Sequence, residues 1–129
     1  MLKSNVRTKY IRGIYYIIGN KGRAIKYKPW LGDLFASLYD FIMEKSIFPR
    51  KFNGDIDKHF SILKKQCSDI HDKTIVEIAT GSGNIVEFLP SDNYYFGIDI
   101  SPGLLKTANN KLKKAGFQKF KLFLSSGIL

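Results

Sequence analysis

Two places in this sequence combine residue types and spacing that could do chemistry. The first is residues 76–85, VEIATGSGNI, where an acid, Glu77, is followed by Ala79, Thr80, Gly81, Ser82 and Gly83. Closely spaced glycines let the main chain approach a ligand and take dihedrals that other residues resist. A helix starting just after them offers free N–H groups to a carboxylate or phosphate. The second is Asp99, 18 positions beyond Gly81 at the end of the apolar run YYFGIDI. A carboxylate there can accept hydrogen bonds from both hydroxyls of a ribose. A glycine turn with an acid after the next apolar segment suits a nucleoside cofactor. A dinucleotide fingerprint wants a third glycine where Val86 stands. The larger side chain weakens the close helix–strand contact that motif uses, so an NAD-type oxidoreductase is kept only as an alternative.

Other reactive side chains point nowhere. Cys67 is the single cysteine, so no intrachain disulfide forms, and its place in an apolar repeat suits packing. His59 and His71 have no partner at metal-ligand spacing and read as structural or solvent-facing, so no metal site is expected.

The elements that must position the turn follow from periodicity. KTIVEIAT reads as a short strand buried on both faces. IVEFLP reads as a short helix stopped near Pro90, and YYFGIDI as a second buried strand. SPGLLKTANNKLKKAGF is a helix with Ser101 as N-cap, Pro102 in its first turn and Gly116 at its stop. Its apolar face is Leu104, Leu105, Ala108, Leu112 and Ala115. KFKLFLS reads as a third strand. Strand, helix, strand, helix, strand over 74–125 predicts an α/β fold, half of a doubly wound parallel sheet. Upstream, GDLFASLYDFIMEKS reads as a helix capped by Asp33, with Leu34, Phe35, Leu38, Phe41 and Ile42 on one face. Pro49 and Gly54 interrupt it, and a second helix starts near Asp55, with Ile56, Phe60, Leu63 and Cys67 inward. The chain therefore divides into a basic arm (1–29), a helical cap (30–72) and a partial Rossmann-like domain (73–129). Within the arm, IRGIYYII fits a short strand or a short amphipathic helix.

The 129 residues carry a net charge of +10, unevenly spread. Residues 1–32 hold +8, 33–99 hold −4 and 100–129 hold +6. Basic ends suit a nucleic acid, an anionic membrane or an acidic partner, although no nucleic-acid motif accompanies them. A non-catalytic basic binding module is thus a second alternative. No apolar run reaches the roughly 20 residues needed to span a bilayer, and cytoplasmic residence is expected by default.

The glycine turn and YYFGIDISPGLLKTA resemble motif I and the following acidic motif of class I S-adenosylmethionine-dependent methyltransferases. Residues 31–129 share the resemblance, including the segment LYDFIMEKSIFPRKF, which is similar to the N-terminal cap helices of small bacterial members. Ala79 stands where that family's pattern has its first glycine. The resemblance implies S-adenosyl-L-methionine as cofactor and a small-molecule methyl acceptor, which it does not identify. It implies that the backbone at Ala79, Thr80, Gly81 and Gly83 faces the methionine part. Glu77 would orient that loop and reach the amino group, Asp99 would hold the ribose and Ile100 would press on the adenine. Ser101 is a further candidate, which helix capping explains equally well. It names no catalytic base. The family fold has about seven strands against the three read here, so the resemblance implies a truncated or partial enzyme. The first of these strands is then a sheet edge, from which self-association is expected.

Overall fold

The computed structural model describes residues 6–19, 33 and 36–125. The predicted helix-face residues Leu34 and Phe35, and arm residues 20–32, lie outside these. The arm's IRGIYYII forms strands, not a helix. Strands β1 (Thr8–Ile11) and β2 (Ile14–Ile17) pair antiparallel across Arg12 and Gly13, both in the left-handed region. That is a two-residue turn of the kind whose twist matches flanking strands.

The cap follows as α1 (Ala36–Ile42), a π-helical turn (Met43–Ile47) and α2 (Phe48–Phe52). Pro49 was expected to interrupt this helix and does not. The π turn shifts the hydrogen-bond register so that Pro49 falls in the first turn of α2, where its missing N–H is not needed. Asn53, in the left-handed region, ends α2. Asp55 then caps α3 (Ile56–Cys67) by accepting from Lys58 N at 3.0 Å. The inward series Ile56, Phe60, Leu63 and Cys67 comes out as expected, each half-buried. The expected face of α1 does not: Leu38 is 51% exposed and Phe41 64%. Tyr39, Asp40 and Met43 turn inward instead.

From residue 74 the elements come in the order anticipated, β3 (Thr74–Ile78), β4 (Tyr94–Asp99), α4 (Pro102–Lys114) and β5 (Phe120–Leu124), except that a 3-10 turn (Asn84–Glu87) stands where IVEFLP was expected to form a short helix. Ser101 caps α4 by accepting from Leu104 N at 3.1 Å. Gly116 ends it in a Schellman arrangement, with Gly116 N on Lys113 O and Phe117 N on Leu112 O. Ala115 sits at that end, exposed, and not on the buried face. Asn93, fully buried, accepts from Lys73 N and donates to Ile70 O and Pro90 O, tying together the loops before β3 and β4.

The sheet has five strands in the order β1-β2-β5-β4-β3, with β2, β5, β4 and β3 parallel. The partial α/β sheet expected from the sequence is present, and the arm extends it by two strands beyond β5. Among the described residues β3 is an edge, paired with β4 alone. β3 and β4 were expected to be buried on both faces; among the described residues only one face is covered. Ile14, Tyr95 and Leu122 of that face join Leu105, Ala108 and Leu112 of α4 in the core, with Ile75, Phe120 and Leu124 packed against it. The opposite face contributes no residue to this core, and its Val76 and Ile78 are 60% and 80% exposed. The reason is topological: right-handed crossovers running in one direction along a sheet put their connections on one side.

His71, after α3, meets Asp92 before β4 at 2.7 Å on the surface. The Asp92 carboxylate holds the imidazole pKa above its usual 6.5. A raised value in the folded state means stabilisation fully present below the unfolded pKa and lost as pH rises through the folded one. Urea melts of wild type and His71→Gln are therefore expected to differ more at pH 6 than at pH 8.5. An equal difference at both values would remove the ion pair from the stability of the fold.

Candidate functional site

The strand β3 ends at Ile78, and the chain turns sharply at once. Ala79, Gly81 and Gly83 all have positive φ, at 62°, 56° and 81°. Thr80 N bonds Ile98 O at 3.1 Å, and Gly83 N bonds Thr80 O at 3.1 Å, so the turn is anchored to β4 and closed on itself. A methyl group built on Gly81 meets nothing within 4 Å. One built on Gly83 lies 2.9 Å from both the α- and β-carbons of Ala108 on α4. The two glycines thus do different work: Gly81 leaves open space, and Gly83 permits contact with the helix. The close approach that a third glycine would serve at Val86 is made here at Gly83.

Ala79 carries the conformational strain that glycine would avoid, since a left-handed alanine costs about 1 kcal/mol. Ala79→Gly is expected to raise stability by about 1 kcal/mol, or the melting temperature by about 3–6 °C. A thermal melt that falls would show that the alanine methyl contributes packing the turn needs.

The side chains around the turn are all engaged. Glu77 Oε2 accepts from Thr80 Oγ1 at 2.8 Å and from the Tyr95 hydroxyl. Tyr95 is fully buried. Burial, then the bond to Glu77, pushes the phenol's pKa upward, so it stays protonated and donates. Asp99, 9% exposed, spans the turn and the next helix: Oδ2 accepts from Gly81 N at 2.8 Å and Oδ1 from Ser101 N at 2.9 Å. A carboxylate oxygen has two lone pairs, so each keeps one acceptor position. Asp33 was expected to cap its own helix. Its carboxylate accepts from Ser101 Oγ and, at 3.3 Å, from Gly103 N at the start of α4. Ile100 is 47% exposed just beyond the strand end.

A second network docks the cap. Asp40 on α1 accepts from Ser82 Oγ of the turn and pairs with Lys111 Nζ of α4 at 2.6 Å. Lys111 also donates to Asn84 Oδ1 at 2.6 Å. These contacts fix the rotation of α1 and explain why its apolar series faces outward. Between the docked cap and the turn lies a cavity of about 380 Å³. Glu77, Ala79, Thr80, Gly81, Ser82 and Asn84 line it on the sheet side, and Tyr39, Met43, Phe48, His59 and Phe60 on the cap side. Its size falls within the range of small-molecule sites, about 300–1,000 Å³. The π turn supplies Met43 and Glu44 to its wall.

Of the sequence candidates, Glu77, Ala79, Thr80 and Gly81 border the cavity. Gly83 lies behind the turn, and Asp99 and Ser101 brace it from the side. Tyr95, Asp40, Lys111 and Ser82 were not singled out from sequence. A signal existed for Tyr95, since a tyrosine within a buried strand needs a polar partner for its hydroxyl. Another existed for Asp40, an acid inside the apolar run LYDFI. Among the described residues no cluster of His, Cys, Asp and Glu is arranged to hold a metal ion, and no helix is long and apolar enough to cross a membrane.

No protein-family model and no curated protein matches the sequence. Among solved structures, the chain is similar to an S-adenosylmethionine-dependent methyltransferase from Clostridium acetobutylicum ATCC 824. The identity is 22% and the TM-score 0.52, over 70% of this chain. The chain spans 36% of that protein's length. The likeness shows the fold, a partial class I methyltransferase-like α/β sheet.

Proposed function

We propose that this chain is the cofactor-binding part of an S-adenosyl-L-methionine-dependent methyltransferase that serves a small-molecule acceptor. The observation that carries the proposal is the open space at Gly81, facing a ligand-sized cavity lined by Glu77, Thr80 and the cap helices. The residues fit the methionine end of such a cofactor. Gly81 lets the main chain approach it, and the Glu77 carboxylate, held by Thr80 and Tyr95, has a second oxygen for an amino group. Asp99 has one acceptor position left on each oxygen for ribose hydroxyls, and Ile100 offers an apolar surface to a base.

When bound, the sulfonium brings an already activated methyl group. The chain's own task is then to bind, orient and exclude water. The cap, docked through Asp40 and Lys111, is suited to exclusion. The single cysteine fits a reducing compartment, and we place the protein in the cytoplasm. Calorimetric titration with S-adenosylhomocysteine is the test, with NADH as the competing ligand. Binding of the former with a preference over NADH is expected. A folded chain that binds neither sinks the cofactor assignment, and preference for NADH transfers it to the oxidoreductase reading.

A further inference from the structure

We infer that the uncovered face of the sheet is the contact between two copies of this chain. The strand registers place Tyr10, Tyr15, Phe123, Phe96, Tyr94, Val76, Ile78 and Ile98 on that face, opposite the side that α4 packs. The rings run across the sheet as a continuous series. Tyr10 meets Tyr15 at 4.8 Å, Tyr15 meets Phe123 at 5.2 Å, Phe123 meets Phe96 at 6.2 Å and Phe96 meets Tyr94 at 4.8 Å. Among the described residues no helix lies over them. Parallel sheets in proteins are covered on both faces, because both faces are apolar. This one is apolar on both and, among the described residues, covered on one.

The chemistry of the face selects the occupant. Within the strands it carries one charge, Lys121, whose Nζ lies 5.9 Å from the Tyr15 ring centroid, and no acid. It therefore gives an acidic partner almost nothing to pair with, and it can meet its own copy without a set of like charges opposed. Flat aromatic faces suit the packing of one sheet on another at about 10 Å. Five strands at about 4.8 Å and about five residues at 3.3 Å give a footprint of about 400 Å² per chain, before side-chain relief is added. That matches the largest apolar patch of an ordinary monomer, about 300–600 Å² and often functional, and is about half of the roughly 800 Å² of accessible surface per partner in a standard interface, so the contact is a weak one. A two-fold dimer with a dissociation constant on the order of 10 μM is expected. The net charge of +10 on each chain opposes association, so added salt is expected to tighten the dimer. Salt weakens binding to nucleic acid or anionic lipid, so the sign separates these cases.

The experiment is sedimentation velocity of the full chain over a concentration series at low and high salt. Phe96→Lys is the first variant. Tyr10→Glu/Val76→Glu, at two exposed positions on opposite sides of the face, is the second, in case the buried strand does not tolerate the first. A monomer–dimer equilibrium is expected in the wild type. The substitutions are expected to weaken it at least tenfold, with circular dichroism and S-adenosylhomocysteine binding unchanged. Loss of that binding in wild type would overturn the cofactor reading and leave this one standing. A wild-type monomer up to about 1 mM overturns the interface. So does a dimer that survives the face substitutions, which would assign association to the free edge of β3. Binding to anionic vesicles that the substitutions abolish, in a protein that stays monomeric, overturns it in favour of a membrane contact.

Discussion

Gly83→Ala is expected to lower stability by about 3 kcal/mol. Two costs add. The residue sits at φ 81°, where an alanine is strained by about 1 kcal/mol. Its new methyl would also stand 2.9 Å from the α- and β-carbons of Ala108. One of those atoms is main chain and the other is fixed to it, so α4 or the turn must move, and overpacking of this kind costs about 1–3 kcal/mol. α4 is anchored at both ends, by the Ser101 cap and the Schellman turn, so it yields little. The companion Ala108→Gly removes one of the two opposing atoms and costs about 1 kcal/mol in helix propensity. In the double mutant the two changes are expected to couple favourably by about 1 kcal/mol, since only the main-chain carbon still opposes the new methyl. Urea denaturation of the four proteins measures this. A loss under about 0.5 kcal/mol in the single mutant would mean that the turn and the helix part without resistance.

Asp99→Asn is the second large effect, and its value lies in separating two roles. If Asp99 served the ligand alone, the substitution would weaken binding and leave the folded chain as stable as before. Here both oxygens accept main-chain N–H groups, from Gly81 and Ser101. An asparagine offers one oxygen, and its NH₂ must face the other donor. The orphaned N–H and the lost charge-assisted bond together are expected to cost about 2–3 kcal/mol. Affinity for S-adenosylhomocysteine is expected to fall more than tenfold as well, because Gly81 is released from its position. Loss of affinity with unchanged stability would return Asp99 to the simpler role.

The order of elements from residue 74 onward was legible in the sequence because local signals agreed with one another. Ser101, Pro102 and Gly116 mark the bounds of α4, and the β-branched runs mark β3 and β4. The turn was legible because glycines at such spacing have few other uses. What was not legible depended on contacts between distant residues. Nothing local states that Lys111 reaches Asp40 across 71 positions, yet that pair decides which side of α1 faces inward. Periodicity identified the stripe Leu38, Phe41 and Ile42 correctly as a stripe and assigned it to the wrong side. Pro49 was misjudged for a related reason, since a π turn leaves no mark on the apolar period. The covered and uncovered faces of the sheet were also indistinguishable from sequence, because both are equally apolar.

The hairpin has one more consequence, for the time at which the protein can fold. Ile14 pairs with Leu122, 108 positions further along the chain. Synthesis proceeds at about 5–20 residues per second, so β2 waits on the order of 5–20 s for β5 to be made. Throughout that interval Ile14, Tyr15 and Tyr16 lack the strand that later pairs with them. Pairing so distant in sequence also slows the search once both strands exist. β2 and the later-made β5 meet last, so the early aromatic segment stays open along that edge while β3, β4 and α4 are made.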